Sequence, residues 1–327
     1  MRAVRATAPG GPEVLSVDDL PDPSPGPGQI VVRVAAAGVN FVDTYRRSGR
    51  YPVPFPHVVG SEGAGTVTTL GAGVTGVSVG DRVAWLDGTD GSYTDLAVVD
   101  AARAVPVPAG VGLEDAAAVM LQGVTAHYLA VDTAPVRPGQ TVLVHAGAGG
   151  VGLLLTQLAV ARGARVLTTV STTEKADLSR GAGATDVLRY DLLDDPATQL
   201  PAWVRDHAPD GVDTVFDGVG ATTFDASLAS LRVRGTLVLF GGASGAVPPF
   251  DPMRLERGGS LFLTRPSLRH HVVTRDELLG RTDAVLGLLA DGDLDVRIGA
   301  RFELERAADA HRALEARATT GKVLLIP

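Results

Sequence analysis

The stretch Thr141-Val-Leu-Val-His-Ala-Gly-Ala-Gly-Gly-Val-Gly152 constrains this chain most: a β-branched apolar run breaks into clustered glycines and resumes as Leu153-Leu-Leu-Thr-Gln-Leu-Ala-Val160. The pattern predicts a strand that turns through Gly147, Gly149, Gly150 and Gly152 into an amphipathic helix. Such a turn aims bare backbone N–H groups and the positive end of a helix dipole at one point, which suits a pyrophosphate. In a chain with 40 glycines a loose cluster alone carries little weight. The strand before it and the helix after it supply the context that a dinucleotide fingerprint requires.

Around this turn the apolar period changes. A helical pattern over residues 122–131 precedes it, and strands are expected at Thr141–His145, Arg165–Val170, 214–216 and 236–240, separated by segments of helical period. Strands and helices alternating in this way form a doubly wound parallel sheet. Upstream lie short strand candidates at 14–17, 30–36, 65–70, 81–86 and 93–99, with a Pro/Gly-rich surface loop at 21–28. Downstream come a strand over 260–264, a helix over 275–290, a helical segment over 309–318 and a final strand, Lys322–Ile326. A length of 327 residues suits two domains. The tail is expected to return and complete the first of them. The expected limits are 1–121 with 266–327 for a β-rich domain and 122–265 for the nucleotide domain, with the active site in the cleft between them.

Composition narrows the chemistry. There is no cysteine, which removes disulfides, thiolate metal ligation and a catalytic thiol together. The start, Met1-Arg-Ala-Val-Arg-Ala, has no apolar signal core, and no stretch approaches the roughly 20 apolar residues that cross a bilayer. The expectation is a cytoplasmic protein without a membrane partner. A net charge of −8 counts against a nucleic-acid partner.

The tip of the second nucleotide-domain strand faces the adenosine ribose in such folds, and an acid there, about 20 residues past the glycines, reads the 2′-hydroxyl of NAD. Here the tip is Val170-Ser171-Thr172-Thr173-Glu174-Lys175. Ser171, Thr172 and Lys175 can donate to a 2′-phosphate that a carboxylate would repel, so the tip favours NADPH. Lys175 and Lys322 are the only lysines of the chain. Glu174 reads as a first-turn residue favoured by the helix dipole. Tyr190, after the next strand, either closes over the adenosine end or is a half-buried core residue.

Many two-domain alcohol dehydrogenases carry a zinc-site signature of Gly-His-Glu followed by spaced glycines. This chain reads Gly60-Ser61-Glu62-Gly63-Ala64-Gly65, with the imidazole replaced by a hydroxyl. Without cysteine, a zinc site with the usual N/S ligands does not assemble from these positions, and no metal is expected. His145, ending a buried strand, reads as a hydrogen-bonded core residue.

Several blocks together resemble the NADPH:quinone oxidoreductase (ζ-crystallin-like) branch of the zinc-free medium-chain dehydrogenases. They are Asn40-Phe-Val-Asp-Thr-Tyr-Arg-Arg-Ser-Gly-Arg-Tyr-Pro52, the Gly60–Gly65 block, Gln122-Gly-Val-Thr-Ala, the glycine turn, Asp217-Gly-Val-Gly220, Phe240-Gly-Gly-Ala-Ser-Gly245, Thr264-Arg-Pro-Ser-Leu268 and the ending from Arg317. The resemblance runs along essentially the whole chain. It implies a GroES-like β-rich catalytic domain with a doubly wound Rossmann domain, a homodimer, and NADPH-dependent reduction of quinones or other activated double bonds. It places Phe41, Asp43, Thr44 and Tyr45 along the nicotinamide end, with Thr125 among the cofactor-binding residues. Tyr128, Gly149, Gly150 and Val151 border the pyrophosphate, and Ser171, Thr172, Lys175, Tyr190 and Arg317 surround the 2′-phosphate. Gly218, Phe240, Ala243 and Ser244 flank the nicotinamide and its ribose. His57 and His127 depart from the pattern. His57 reads as a neutral surface change; His127 either shapes the substrate site or is neutral.

Hydride transfer without a metal needs a donor for the oxyanion that develops on the acceptor. Asn40, Tyr45 and Tyr51 are the catalytic candidates, as a carbonyl donor and as phenols that donate and then protonate. The structural alternatives are a loop cap for Asn40 and an apolar lining for the tyrosines. Three functions follow: an NADPH-dependent quinone reductase, an enoyl or alkenal double-bond reductase, and an NADPH-binding structural or RNA-binding protein with little turnover.

Overall fold

In the computed structural model, which describes residues 1–86 and 91–327, the chain forms two units, Met1–Val124 with Val272–Pro327, and Thr125–His271. The first begins with β1 (Arg2–Ala6), β2 (Leu15–Asp19) and β3 (Gln29–Val39), then the short helix α1 (Phe41–Arg47). Strands β4 (His57–Val58), β5 (Glu62–Leu70), β6 (Arg82–Leu86), β7 (Leu96–Asp100) and β8 (Val105–Pro106) follow, and α2 (Leu113–Tyr128) leads into the second unit. β3 is the axis of the main sheet: it pairs antiparallel with β5 along one edge and with β7 along the other. Its β-branched residues Ile30, Val32, Val34 and Val39 are buried with Trp85 and Tyr93 in one apolar cluster.

The second unit alternates strand and helix: β9 (Thr141–His145), α3 (Gly150–Ala161), β10 (Arg165–Val170), α4 (Thr173–Gly181), β11 (Asp186–Arg189), α5 (Pro196–His207), β12 (Val212–Asp217), α6 (Phe224–Ala229), β13 (Leu231–Leu239), α7 (Met253–Arg257) and β14 (Phe262–Thr264). The strands pair in parallel in the order β11-β10-β9-β12-β13-β14. Winding therefore reverses between β9 and its neighbour β12, the switch point outside which ligands of such sheets bind. The chain then returns to the first unit as α8 (Arg275–Asp291), β15 (Ile298–Glu303), α9 (Ala307–Glu315) and β16 (Lys322–Ile326). β16 pairs parallel with β15 and antiparallel with the end of β3.

Departures from the sequence pattern have local causes. The helix expected over 122–131 begins nine residues earlier, at Leu113. Ala116, Ala117, Ala118 and Val119 are all buried, so no polar stripe marks the period there. The strand expected over 93–99 is continuous only from Leu96; before it Thr94 makes an isolated antiparallel bridge to Ala3 of β1, and the amide of Tyr93, whose ring is buried, bonds the Val59 carbonyl at 2.9 Å. No helix among the described residues is long and apolar enough to cross a membrane.

Candidate functional site

β9 delivers the chain to the glycine turn. His145 is held between Thr169 Oγ1 (2.9 Å) and Ser227 Oγ (3.0 Å), a core residue as its place at the strand end suggests. Ala146 then takes a left-handed φ of 54°, and its carbonyl accepts from the Gly149 amide at 2.9 Å. A Cβ on Gly152 would overlap that same carbonyl oxygen, and one on Gly147 would lie 2.6 Å from Thr168 Cβ. The close approach of helix to strand thus demands glycine at both positions. α3 begins after Gly149 with no side-chain cap, and Gly149, Gly150 and Val151 are only half-buried, so its first amides are available to an anion. Gly152→Ala is expected to lower stability by about 1–3 kcal/mol through overpacking. It is also expected to weaken NADPH at least about tenfold, a displacement worth ~1.4 kcal/mol. A fluorescence titration showing wild-type affinity would remove Gly152 from the cofactor turn.

The tip of β10 gathers hydroxyls and cations. Thr172 caps α4, its Oγ1 accepting from the Lys175 amide at 3.2 Å, and Lys175 Nζ donates to Ser171 Oγ at 3.3 Å. Arg189, which the sequence reading did not single out, donates to Thr173 Oγ1 at 2.6 Å and grips Asp191 through two bonds of 2.8 and 2.6 Å. Its signal was a basic residue directly before Tyr190 at the end of β11. Tyr190 is half-buried, and Arg317, exposed after α9, belongs to the first unit. Thr125 is buried. Tyr128 is 2 % exposed, with its ring stacked on His271 at 4.1 Å, so the ring expected beside a pyrophosphate lies inside the protein.

At the end of β12 a buried carboxylate organises the next loop. Asp217 Oδ1 accepts from the amides of Val219 (2.8 Å) and Gly220 (2.9 Å), and Oδ2 from Thr223 Oγ1 (2.7 Å) and Ser227 Oγ (2.8 Å). The loop is stitched to the turn after β13: the Ala243 amide bonds the Gly218 carbonyl at 3.2 Å, and Ser244 bonds that of Val219 at 2.8 Å through both its amide and its hydroxyl. A Cβ on Gly218 would lie 2.8 Å from the Phe240 ring. Gly218, Phe240, Ala243 and Ser244 are therefore one assembly. Asp217, which positions it, had no role in the sequence reading beyond opening the Asp-Gly-Val-Gly block.

In the first unit α1 and the turn just after it carry the aromatic candidates. Phe41 and Tyr45 lie 6.2 Å apart, Tyr51 meets Tyr45 edge-on at 5.3 Å, and the Arg50 guanidinium sits 4.4 Å over the Tyr45 ring. Tyr51 is 38 % exposed, while Tyr45 is almost covered. Thr44 Oγ1 donates to the Phe41 carbonyl at 2.8 Å.

Two expectations need correction here. Asn40 does not offer its amide outward: Nδ2 donates to Glu62 Oε1 (2.7 Å) and to the Gly38 carbonyl (3.3 Å), and Oδ1 accepts from Lys322 Nζ (2.8 Å) and Gln122 Nε2 (3.2 Å). All its hydrogen-bonding capacity is used inside the protein. Asp43 is wholly buried, its carboxylate accepting from the Asn40 amide (2.9 Å), Tyr93 Oη (3.2 Å) and Ser61 Oγ, so it supports α1 rather than facing a ligand. Burial pushes Asp43 up to about 6 against the pull of its bond to Ser61 and the nearby Arg46.

Beneath Asn40 lies a pair the sequence did not reveal, the buried ions Glu62 and Lys322, in direct contact. Ser61, at the histidine position of the Gly-His-Glu zinc-site signature, is hydrogen-bonded to Asp43 and accepts from Arg46 Nη1 at 2.9 Å. Among the described residues no three His, Asp or Glu side chains are placed to hold a metal ion. His57 packs edge-on against Phe55 at 5.0 Å, and burial, then Arg46, lowers its pKa.

The chain matches the alcohol dehydrogenase GroES-like domain over residues 26–109 and the zinc-binding dehydrogenase domain over 150–283. It is 43 % identical to a quinone oxidoreductase of Pseudomonas aeruginosa, covering all of this chain and 99 % of that one. A 2-haloacrylate reductase from a Burkholderia species is 38 % identical over 97 % of this chain and 96 % of its own. Among solved structures, a mycobacterial protein complexed with NADPH superposes with a TM-score of 0.97 at 51 % identity, and Escherichia coli quinone oxidoreductase complexed with NADPH with 0.96 at 38 %; both match over the full length of each chain.

Proposed function

Because the chain belongs to the quinone oxidoreductase family of medium-chain dehydrogenases, we propose that it is an NADPH-dependent, metal-independent quinone reductase. The observation that carries the cofactor choice is the β10 tip, where Lys175 and Ser171 lie 3.3 Å apart with no carboxylate at residues 171–173. The fit to a dinucleotide is physical: α3 presents uncapped amides, and Gly147 and Gly152 leave no room for a Cβ. The amides after Gly149 would hold the pyrophosphate; Ser171, Thr172 and Lys175 would hold the 2′-phosphate, with Arg189, Tyr190 and Arg317 as further candidates. The assembly of Gly218, Phe240, Ala243 and Ser244 would support the nicotinamide. When bound, NADPH supplies the hydride.

Tyr51 and Tyr45 are the groups we assign to hydrogen-bond the acceptor oxygen, Tyr51 being the exposed one. Asn40 acts behind them. Ser61 in place of histidine supports the metal-independent reading. A homodimer in the cytoplasm completes the proposal; the dimer is supported by the open edge of β14, where Phe262 is 59 % exposed. An activated alkene as acceptor is the second reading, supported by the likeness to 2-haloacrylate reductase.

The test is oxidation of NADPH and NADH with a panel of quinones beside an enone and an enoyl thioester. Lys175→Ala is expected to lower kcat/KM for NADPH about 10–100-fold, the worth of a charge-assisted hydrogen bond of ~1.5–3 kcal/mol, and to leave NADH nearly unchanged. Equal losses with both cofactors refute the phosphate assignment, and turnover of the enone or thioester without quinone turnover moves the substrate to the second reading.

A further inference from the structure

We propose that Asp43, Tyr93 and His311 are positioning residues for this reaction: a one-way chain of hydrogen bonds ending on the Asp43 carboxylate fixes the first turn of α1 and, through it, Asn40 and Tyr45. The inference rests on the quinone reductase reading above, but its geometry lies wholly within the first unit.

The direction of the chain follows from its first link. Arg47 Nη1 lies 3.1 Å from His311 Nδ1, and a guanidinium only donates, so Nδ1 is the acceptor and the imidazole proton is on Nε2. Nε2 lies 3.2 Å from Tyr93 Oη and donates to it. Tyr93 then has one proton to give, and gives it to Asp43 Oδ2 at 3.2 Å. The same oxygen accepts from the Asn40 amide at the start of α1, while Oδ1 accepts from Ser61, which is held by Arg46. At the far end Arg47 is anchored on α9 by two bonds to Glu315, of 2.7 and 3.2 Å. Every donor converges on one buried carboxylate, so a proton arriving on it displaces one of those donors and changes the bonds that orient the first turn of the helix.

The groups around Asp43 fix the expected pH range. On α1 these are Arg46 and Arg47; on β5 and its preceding loop, Glu62 and Ser61; before β7, Tyr93; on α9, His311 and Glu315; on β16, Lys322. Burial and then Arg47 hold His311 down to about 3, so it stays neutral and keeps its tautomer throughout. Tyr93 is pushed well above its ordinary value by burial and then by Asp43. Asp43 is pushed up to about 6, so its charge changes within the range tested.

The experiment is kcat and KM for NADPH-dependent quinone reduction from pH 5 to 8, for the wild-type protein and Tyr93→Phe, with thermal unfolding at pH 8 for both. In the wild type kcat is expected to fall on the acid side with a midpoint near 6, with KM for NADPH changing little. Tyr93→Phe removes a donor to the carboxylate and is expected to move that midpoint upward by roughly half to one unit. Coincident midpoints, or no acid limb, overturn the proposal. If no quinone is turned over, the reaction reading fails and amide exchange of residues 41–47, corrected for intrinsic rate, decides the relay. Protection that changes with a midpoint near pH 6 in the wild type, rising toward acid because the closed state binds the Asp43 proton more tightly than the opened one, and with a higher midpoint in Tyr93→Phe, supports it; pH-independent protection overturns it. Should Tyr93→Phe fail to fold, Ser61→Ala removes the donor on the other oxygen and is expected to shift the midpoint in the same direction.

Discussion

Lys322→Met is expected to destabilise the protein by about 3–5 kcal/mol, the cost of leaving one member of a buried ion pair without its partner. Lys322 and Glu62 have side chains 1 % and 0 % exposed. Nζ bonds both Glu62 Oε1 and Asn40 Oδ1, and Glu62 Oε2 accepts from the Leu121 amide at 2.5 Å. With the ammonium gone, the carboxylate keeps its bonds to Asn40 and Leu121 but loses its counter-charge in a medium that does not solvate it. Urea unfolding measures the change. The double variant Glu62→Gln/Lys322→Met removes charge and counter-charge together and is expected to be more stable than Lys322→Met alone. A single variant within 1 kcal/mol of wild type, or a double variant as unstable as the sum of the two singles, would mean that the pair is not coupled.

His311 is expected to make the protein acid-sensitive. Its pKa falls from 6.5 to about 3 through burial first and the Arg47 charge second. The folded state therefore binds fewer protons than the unfolded state below pH 6.5. The stability this supplies is present above pH 6.5 and is lost as pH falls toward the folded value. At ~1.36 kcal/mol per unit, about 2 kcal/mol is gone by pH 5. Asp43 has the opposite sign: raised from 3.8 to about 6, it contributes stability that is present below 3.8 and lost as pH rises through 6. Comparing wild type with His311→Leu separates the two, since both proteins contain Asp43. The wild type is expected to be the more stable at pH 7.5, with the gap narrowing by about 2 kcal/mol at pH 5. A gap that is constant with pH would mean that His311 is not buried in its neutral form.

Much of the second unit was legible because its signals are local. The strands Thr141–His145 and Arg165–Val170 are buried on both faces and rich in β-branched residues, and each begins and ends as expected. The glycines at 147 and 152 carried their meaning in sequence because a close helix–strand approach tolerates no side chain. The site in the first unit was less legible. Asn40 and Asp43 were singled out with the right neighbours but the wrong direction, since both side chains turn inward to Glu62, Lys322, Ser61 and Tyr93. Their partners lie up to 282 residues away, and no period relates them. α1 is only seven residues long, too short for a helical period to declare itself.

The amino-acid sequence by itself determined that this chain builds a doubly wound dinucleotide fold, that it lacks thiolate ligands, and that the tip of β10 carries hydroxyls at 171–173 with a lysine at 175. These follow from residue type and spacing within about thirty positions. Only the tertiary structure decided which polar residues face a ligand and which are sealed away. Lys322 shows the difference: in sequence it opens a final strand, where a lysine ordinarily stands in water. Pairing of β16 against β3 brings it instead to Asn40 and Glu62 in the core. A buried ammonium there has its counter-charge only because a carboxylate from a distant strand is folded against it.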